Sequence, residues 1–240
     1  MMRKKTKQKK IMEKNNSLSK DKLVVYHEPK NPVSEIYRTI RTNIQFSSAD
    51  KDLRTLSVTS ATEGEGKTTT IANLAITLTQ QDHTVVIVDG DLRRPKVHRI
   101  FELENTEGLT EVLVNKLPHK PLVKQTFVEN LSVLPTGILP PNPSELLGSK
   151  GLKALIDKLK DEYDYVLVDV PPVNIVTDGL LVANVVDGVI LVCSSGLVQS
   201  DEARRAKELL TNAKANLLGV ILNNVPMDTN KYYYYQEESY

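Results

Sequence analysis

The ten residues Ser60-Ala61-Thr62-Glu63-Gly64-Glu65-Gly66-Lys67-Thr68-Thr69 constrain this chain more than any other segment. They follow a β-branched run, Thr55–Thr59. After them Ile71, Leu74, Ala75 and Leu78 repeat at i, i+3, i+4, i+7, the spacing of a helix with one buried face. A strand, a glycine loop and a helix in that order fit the phosphate-binding pattern G-x-x-x-x-G-K-[ST], with Ala61 in place of its first glycine. Gly64 and Gly66 let backbone N–H groups curl around a phosphate with no Cβ in the way. Lys67 reaches the outer phosphates as a point charge, and the helix N-terminus adds about half a positive charge. The Thr68 hydroxyl is placed to ligate a divalent cation, and Glu63, Glu65 and Thr69 complete the loop.

Further β-branched runs alternate with helical patterns: Val85–Asp89, Leu131–Leu134, Tyr165–Val170, Gly188–Cys193 and Leu218–Leu222. Strand–helix alternation predicts an α/β fold of the P-loop NTPase kind, a mostly parallel sheet with helices on both faces. Several of the runs are apolar at consecutive positions, which predicts strands covered on both sides. Ala203, Ala206, Leu209, Leu210 and Ala213 predict another helix, and a helix from Ser34 to about Phe46 is expected, with Ser34 as N-cap and Ile36, Ile40 and Ile44 inward. Pro135–Pro143, with four prolines and Gly137, reads as a stiff loop before a helix opening near Ser144.

Two strands end in acid. Val85–Val88 run into Asp89-Gly90-Asp91-Leu92-Arg93, and Val166–Val168 into Asp169. Ligands of open parallel sheets bind off the carboxyl ends of the strands, so Asp89, Asp91 and Asp169 converge beside the glycine loop. One such acid would read as a turn cap; three beside a P-loop read as a magnesium–nucleotide site. No Asn-Lys-x-Asp element for reading guanine is present, so ATP with Mg²⁺ is preferred over GTP. Asn223 or Asn224, just after the last strand, serves either the base or a turn.

The 240 residues suit one domain, with 40% hydrophobic and 25% charged residues, near the globular average. The single cysteine, Cys193, excludes an internal disulfide and a thiolate zinc site, which predicts a reducing cytoplasm. A net charge of +1 hides an asymmetry: residues 1–22 carry nine Lys or Arg against Glu13 and Asp21, and the remainder holds 22 basic against 28 acidic residues. The expected organisation is a basic tail at 1–22, a nucleotide domain at 23–226 and a terminal tail at 227–240. The basic segment is either a solvated tail or one drawn to an anionic membrane surface, at roughly 1 kcal/mol per basic residue close to it. The acidic body argues against a nucleic-acid footprint.

Tyr232, Tyr233, Tyr234, Tyr235 and Tyr240 are five of nine tyrosines. Four in a row fit neither the helix nor the strand period. They read as a phosphorylation target or as an aromatic docking peptide. With Glu35-Ile36-Tyr37-Arg38-Thr39-Ile40-Arg41, the Gly-Glu-Gly-Lys-Thr loop, Asp89-Gly90-Asp91-Leu92-Arg93, Pro140-Pro141-Asn142-Pro143-Ser144-Glu145-Leu146-Leu147 and Asp169-Val170-Pro171-Pro172, the chain resembles the bacterial protein-tyrosine kinases of capsule and exopolysaccharide biosynthesis. The resemblance is to their stand-alone cytoplasmic form in Gram-positive bacteria and runs from about Ser34 onward. Glu63 departs from the family's usual proline, placing a negative charge near the phosphates.

That resemblance implies an ATP-dependent kinase that autophosphorylates its tyrosine cluster in trans within a homo-oligomeric ring. Lys67 and Thr68 act in the loop, Asp89 and Asp169 organise Mg²⁺, and Asp91 orients the tyrosine hydroxyl as a late base. Arg93 either stabilises charge on the transferring group or holds a structural ion pair. Glu35, Arg38 and Arg41 are either ring-interface residues or an exposed helix face with a local salt bridge. The implied partners are the cytoplasmic segment of a transmembrane adaptor, which recruits the chain to the inner face of the membrane, a cognate tyrosine phosphatase, and polysaccharide-pathway proteins. The runner-up reading, a positioning ATPase with a deviant P-loop, shares the aspartates. It expects a lysine near the loop start, where this chain has Thr62.

Overall fold

The computed structural model describes residues 22–47 and 52–226. After a short helix α1 (Val24–His27) and a long helix α2 (Pro32–Ser47), strands and helices alternate. They run β1 (Thr55–Ser60), α3 (Lys67–Thr79), β2 (Val85–Asp89), α4 (Val97–Ile100), α5 (Leu109–Val114), β3 (Lys124–Gln125) and β4 (Leu131–Leu134). They continue with α6 (Pro143–Leu147), α7 (Lys150–Glu162), β5 (Tyr165–Asp169), α8 (Asp178–Ala183), β6 (Gly188–Ser194), α9 (Ser200–Asn212) and β7 (Leu217–Asn223). The seven strands order as β3-β4-β2-β5-β1-β6-β7, all parallel except β3, which pairs antiparallel with β4.

The two-residue side-chain period of a strand sorts β2 into two cores. Val85 and Ile87 pack under α1, α2 and α3 with Leu56, Val58, Ile71 and Leu74. Val86 and Val88 pack under α7 with Leu152, Ile156, Val166 and Val168. Each fully buried Val, Leu or Ile contributes about 1.5–3 kcal/mol. This doubly covered core makes the sheet rigid and fixes where its carboxyl edge presents side chains.

Two expectations are corrected. Ser34 does not cap α2: Pro32 opens the helix, the Asn31 carbonyl side chain accepts from Val33 N–H at 2.9 Å, and Ser34 donates from inside the helix to Glu28 O at 2.8 Å. The inward face therefore runs through Ser34, Tyr37, Ile40 and Ile44, while Ile36 is exposed. β7 is not covered on both faces, since Val220 and Leu222 are exposed on this edge strand. A helix does open near Ser144, as expected; it ends at Leu147, and after Gly148-Ser149 the Ser149 hydroxyl accepts from Leu152 N–H at 3.3 Å and starts α7.

Candidate functional site

At the carboxyl edge of the sheet, β1 ends at Ser60 and the loop turns into α3. Gly64 and Gly66 have φ of +83° and +92°, the left-handed region that favours glycine. A Cβ on Gly66 would also lie 2.2 Å from the Asn223 side-chain amide. That amide donates to Glu65 O at 2.9 Å, tying the loop to the end of β7. Glu65 itself is buried, its carboxylate accepting from Ser194 N–H at 3.0 Å and from the Thr62 N–H and hydroxyl. The Glu65 carboxylate therefore braces the loop from behind, which leaves its backbone N–H as the group Glu65 can offer a phosphate. Asn223 and Asn224 brace the same region, the Asn224 amide donating to Ser194 Oγ at 2.8 Å.

In front of the loop, register places Asp89 directly opposite Asp169 on neighbouring strands. Both are fully buried. Lys67 Nζ donates to Asp91 Oδ2 at 3.0 Å and lies 3.7 Å from Asp169 Oδ1; Thr68 Oγ1 donates to Asp169 Oδ2 at 2.7 Å. Asp91 Oδ1 accepts from Arg94 N–H at 2.9 Å, which holds the carboxylate at the cleft. Asp89 Oδ2 accepts from Val97 N–H at 3.1 Å, with His98 Nδ1 3.9 Å away. Asp89 Oδ1 and Asp169 Oδ1 have no hydrogen-bond partner.

Burial pushes the Asp169 carboxyl up to about 7, against the pull of Lys67 and with the push of Asp89. Burial also raises Asp89, opposed by His98. For Lys67, burial alone would lower the ammonium's pKa, but Asp169 and Asp91 outweigh it and the net direction is up. The loop lysine is thus firmly charged, beside two acids that are short of positive charge. Two orphaned carboxylate oxygens and an adjacent hydroxyl form a hard-oxygen donor set that fits Mg²⁺. Among the described residues no cluster of three or more His, Cys, Asp or Glu is arranged as a metal cage. Mg²⁺ typically takes only one or two carboxylates together with phosphate and water, so this set suffices.

A cleft of about 420 Å³ opens over these groups. It is lined by Glu63, Gly64, Gly66, Lys67, Thr68 and Thr69 of the loop, and by Asp91 and Arg93. Asp89 and Asp169 do not line it; Asp169 adjoins it through its contacts with the lining residues Lys67 and Thr68. The charge of Glu63 is met by an ion pair with the Arg94 guanidinium. Arg93 holds the fully buried Asp178 through Nε at 2.8 Å and Nη2 at 3.2 Å, and Nη2 also donates to Ser144 Oγ at 3.1 Å. The ion-pair alternative for Arg93 is therefore realised, with a partner that sequence reading missed. Asp178 lies 85 residues away and no local pattern marks it. Glu35, Arg38 and Arg41 lie in the amino-terminal part of α2, where Arg38 pairs with Glu35 and donates to Pro29 O at 2.9 Å, and Arg41 donates to Thr77 O at 2.6 Å. The five tail tyrosines lie outside the described residues.

Fold and loop together define a P-loop NTPase. A family model named ParA, described as NUBPL iron-transfer P-loop NTPase, matches residues 53–236. The tyrosine-protein kinase YwqD of Bacillus subtilis is 45% identical over 213 residues, covering 89% of this chain and 90% of its own. The solved chimerical protein CapA2B2 superposes with a TM-score of 0.83 at 42% identity, covering 86% of this chain and 91% of its own. The septum site-determining protein MinD of Pyrococcus horikoshii, complexed with Mg-ADP, is more distant, with a TM-score of 0.61 at 26% identity over 70% of this chain and 69% of its own. The chain belongs to the ParA-type P-loop NTPases and, within them, to the bacterial tyrosine-protein kinases of capsule biosynthesis. The runner-up positioning-ATPase reading is correspondingly weaker.

Proposed function

We propose that the chain transfers the γ-phosphoryl group of ATP to the tyrosines of its own terminal cluster, Tyr232–Tyr235 and Tyr240, with Mg²⁺ held by Thr68, Asp89 and Asp169. The observation that carries this reading is the pair of orphaned buried oxygens on Asp89 and Asp169, which stand opposite each other in register, with Lys67 and Thr68 against Asp169. Bound there, Mg²⁺ would offset phosphate charge. The chain's own groups do the rest. The loop N–H groups and Lys67 hold the outer phosphates, and Lys67 exchanges its bond to Asp91 for one to phosphate. Asp91 is thereby released toward the acceptor hydroxyl. A carboxylate near pKa ~4 cannot deprotonate a phenol near pKa ~10 in advance. Instead the phenol oxygen bonds to the γ-phosphorus while the bridging bond to the diphosphate leaving group breaks, and the proton passes late to Asp91 and then to solvent. Arg93, pinned by Asp178, adds charge at the rim.

Transfer in trans, within a homo-oligomeric ring, is the arrangement assigned here, and the reach of the tail allows it: the fourteen residues after Pro226 span at most about 48 Å. Glu35, Arg38 and Arg41 are assigned to that ring's interface, exchanging their present local bonds for a neighbour's. Each phosphotyrosine adds about −1.5 to −2 charges, so a modified tail favours disassembly. Among the described residues no helix is long and apolar enough to cross a membrane. Membrane work is assigned to a transmembrane adaptor's cytoplasmic segment, aided by the basic 1–22 tail. A tyrosine phosphatase and polysaccharide-pathway proteins complete the circuit controlling capsule or exopolysaccharide assembly. The test is Lys67→Met, incubated with Mg·ATP and an adaptor peptide, with phosphate mapped by mass spectrometry. Tail labelling should vanish in the variant while circular dichroism stays unchanged. ATP hydrolysis by the wild type without phosphotyrosine would favour the positioning-ATPase reading.

A further inference from the structure

The cleft carries more positive charge than its internal pairs consume. Lys67 is held by Asp91, Arg93 by Asp178 and Arg94 by Glu63. Two further lysines line the same cleft, Lys22 and Lys96. Both are exposed, and neither side chain has an ion pair among the described residues. Neither backbone position is loose. Lys22 O accepts from the Asn73 side-chain amide at 2.6 Å, Val25 N–H donates to Asn73 Oδ1 at 3.0 Å, and Leu23 and Val25 are completely buried. Lys22 is therefore fastened to the phosphate-loop helix α3. Lys96 precedes Val97, whose N–H is bonded to Asp89 at 3.1 Å. Each free cation is thus anchored to an element carrying the reacting groups.

The cleft also has an apolar wall. Pro171, Pro172 and Val176 line it together with Ile175, a residue that is 54% exposed. The phosphates held by the loop and Lys67 make no use of an exposed isoleucine in the same lining. An aromatic ring, amphipathic with one polar tip, suits such a wall, its hydroxyl turned to the polar floor. Resting on the kinase reading above, we infer that this rim is the acceptor-docking site and selects tyrosines in an acidic context. The phenol ring lies on Ile175 and Pro172 with its hydroxyl toward Asp91, while carboxylates flanking the tyrosine meet Lys96 and Lys22. The occupant is a peptide of the composition this chain itself carries: Tyr232–Tyr235 are followed by Gln236, Glu237 and Glu238. In an extended peptide an acid two or three residues past a tyrosine stands about 7–10 Å from it, the right scale for a rim cation. Charge complementarity of this kind tunes capture and selectivity more than the chemical step.

The experiment compares two peptides, one with Tyr followed by Gln-Glu-Glu and the same peptide with Gln at both acidic positions. The full chain is used, as wild type, as Lys96→Glu and as the Lys22→Glu/Lys96→Glu double variant. Wild type should show a lower KM for the acidic peptide at equal kcat. The double variant should raise that KM about tenfold, leave the Gln-peptide KM within about twofold, and recover with a peptide carrying Lys at the two positions. Affinity for a fluorescent ATP analogue, titrated without peptide, should not change. Equal KM values for both peptides on wild type would overturn the inference while leaving the kinase reading intact. So would a loss of nucleotide affinity in the variants that parallels the KM, since the lysines would then serve the triphosphate. Absence of phosphotyrosine on every peptide with wild type would sink the kinase reading itself.

Discussion

The two ends of the same parallel sheet treat their carboxylates in opposite ways. At the amino-terminal end, Asp187 precedes β6 and accepts from Arg54 N–H at 3.0 Å, Thr55 N–H at 2.8 Å and Lys160 Nζ at 2.9 Å. Asp164, before β5, accepts from Thr84 N–H at 2.7 Å and Thr84 Oγ1 at 2.8 Å. Burial tends to raise Asp187, but the Lys160 and Thr55 bonds outweigh it, and its pKa is lowered; that of Asp164 is lowered chiefly by the Thr84 N–H. At the carboxyl end, Asp89 and Asp169 are more deeply buried, each keeps an oxygen with no hydrogen bond, and both are raised. The same residue type ends or begins a strand in each case. What separates binding from bracing is whether the fold supplies partners, since a buried charge left short of them is costly to the fold.

The largest effect expected from this contrast is on turnover. Asp169→Asn should reduce tyrosine phosphorylation by about 100-fold or more, because an anionic ligand for Mg²⁺ is lost beside Lys67 and Thr68. The metal-free protein should be at least as heat-stable as wild type at pH ~8, since an under-solvated charge is removed. Asp187→Ala should do the reverse: about 1–3 kcal/mol of stability lost, as backbone donors and Lys160 lose their acceptor, with turnover per folded molecule preserved. Phosphotransfer assays beside denaturant melts check both. A destabilised Asp169→Asn would break the contrast.

The pH response should separate the two ends next. Asp169 in the fold titrates about 7, above its unfolded value near ~3.9, so the folded chain holds an extra proton between those limits. Its contribution favours folding in acid and declines as pH rises through that window, levelling above about 7. Asp187 and Asp164 have the opposite sign. Their contributions are complete above the unfolded carboxylate pKa and disappear only as pH falls through their lowered folded values, below about 4. Melting curves in metal-free buffer between about pH 5 and 8 should therefore slope downward in wild type, less so in Asp169→Asn, and as in wild type for Asp187→Asn. Mg·ATP should raise the melting temperature more at about pH 8 than at about pH 6, because a cation binds the ionised acids and competes with protons.

Much of the binding end is legible in the sequence, and little of the bracing end. Lys67 and Thr68 belong to a contiguous motif whose chemistry is local. Asp89 and Asp169 each close a buried apolar run, and the rule that ligands sit beyond strand carboxyl ends brings them together without a contact map. Asp178 under Arg93, or Asn223 behind Glu65, depends on pairing across 85 and 158 residues, which no short-range pattern encodes. Glu65 sits inside the motif, yet only the packing of β6 and β7 turns its carboxylate inward. The β7 edge misleads for a related reason: Val220 and Leu222 look like core residues, and only sheet order shows that nothing in the described chain covers them. Ser34 is the local counterexample. A good capping residue loses its place because Asn31-Pro32, just upstream, starts the helix better.

The smallest expected effect tests whether satisfaction or position decides a residue's role. Asn223 stands at the binding end, yet its amide is spent on Glu65 O and packs against Gly66. If satisfied polar groups brace wherever they lie, Asn223→Ala should behave like a mild version of Asp187→Ala. About 1 kcal/mol of stability should go with the lost hydrogen bond. A slacker phosphate loop should raise the KM for ATP by no more than about fivefold, with turnover in tail phosphorylation nearly constant. Asn223→Ser, which keeps a shorter donor, should recover part of both. If turnover instead collapsed by about two orders of magnitude with stability untouched, Asn223 would belong among the reacting groups. Location at the carboxyl edge would then outrank hydrogen-bond satisfaction in assigning function.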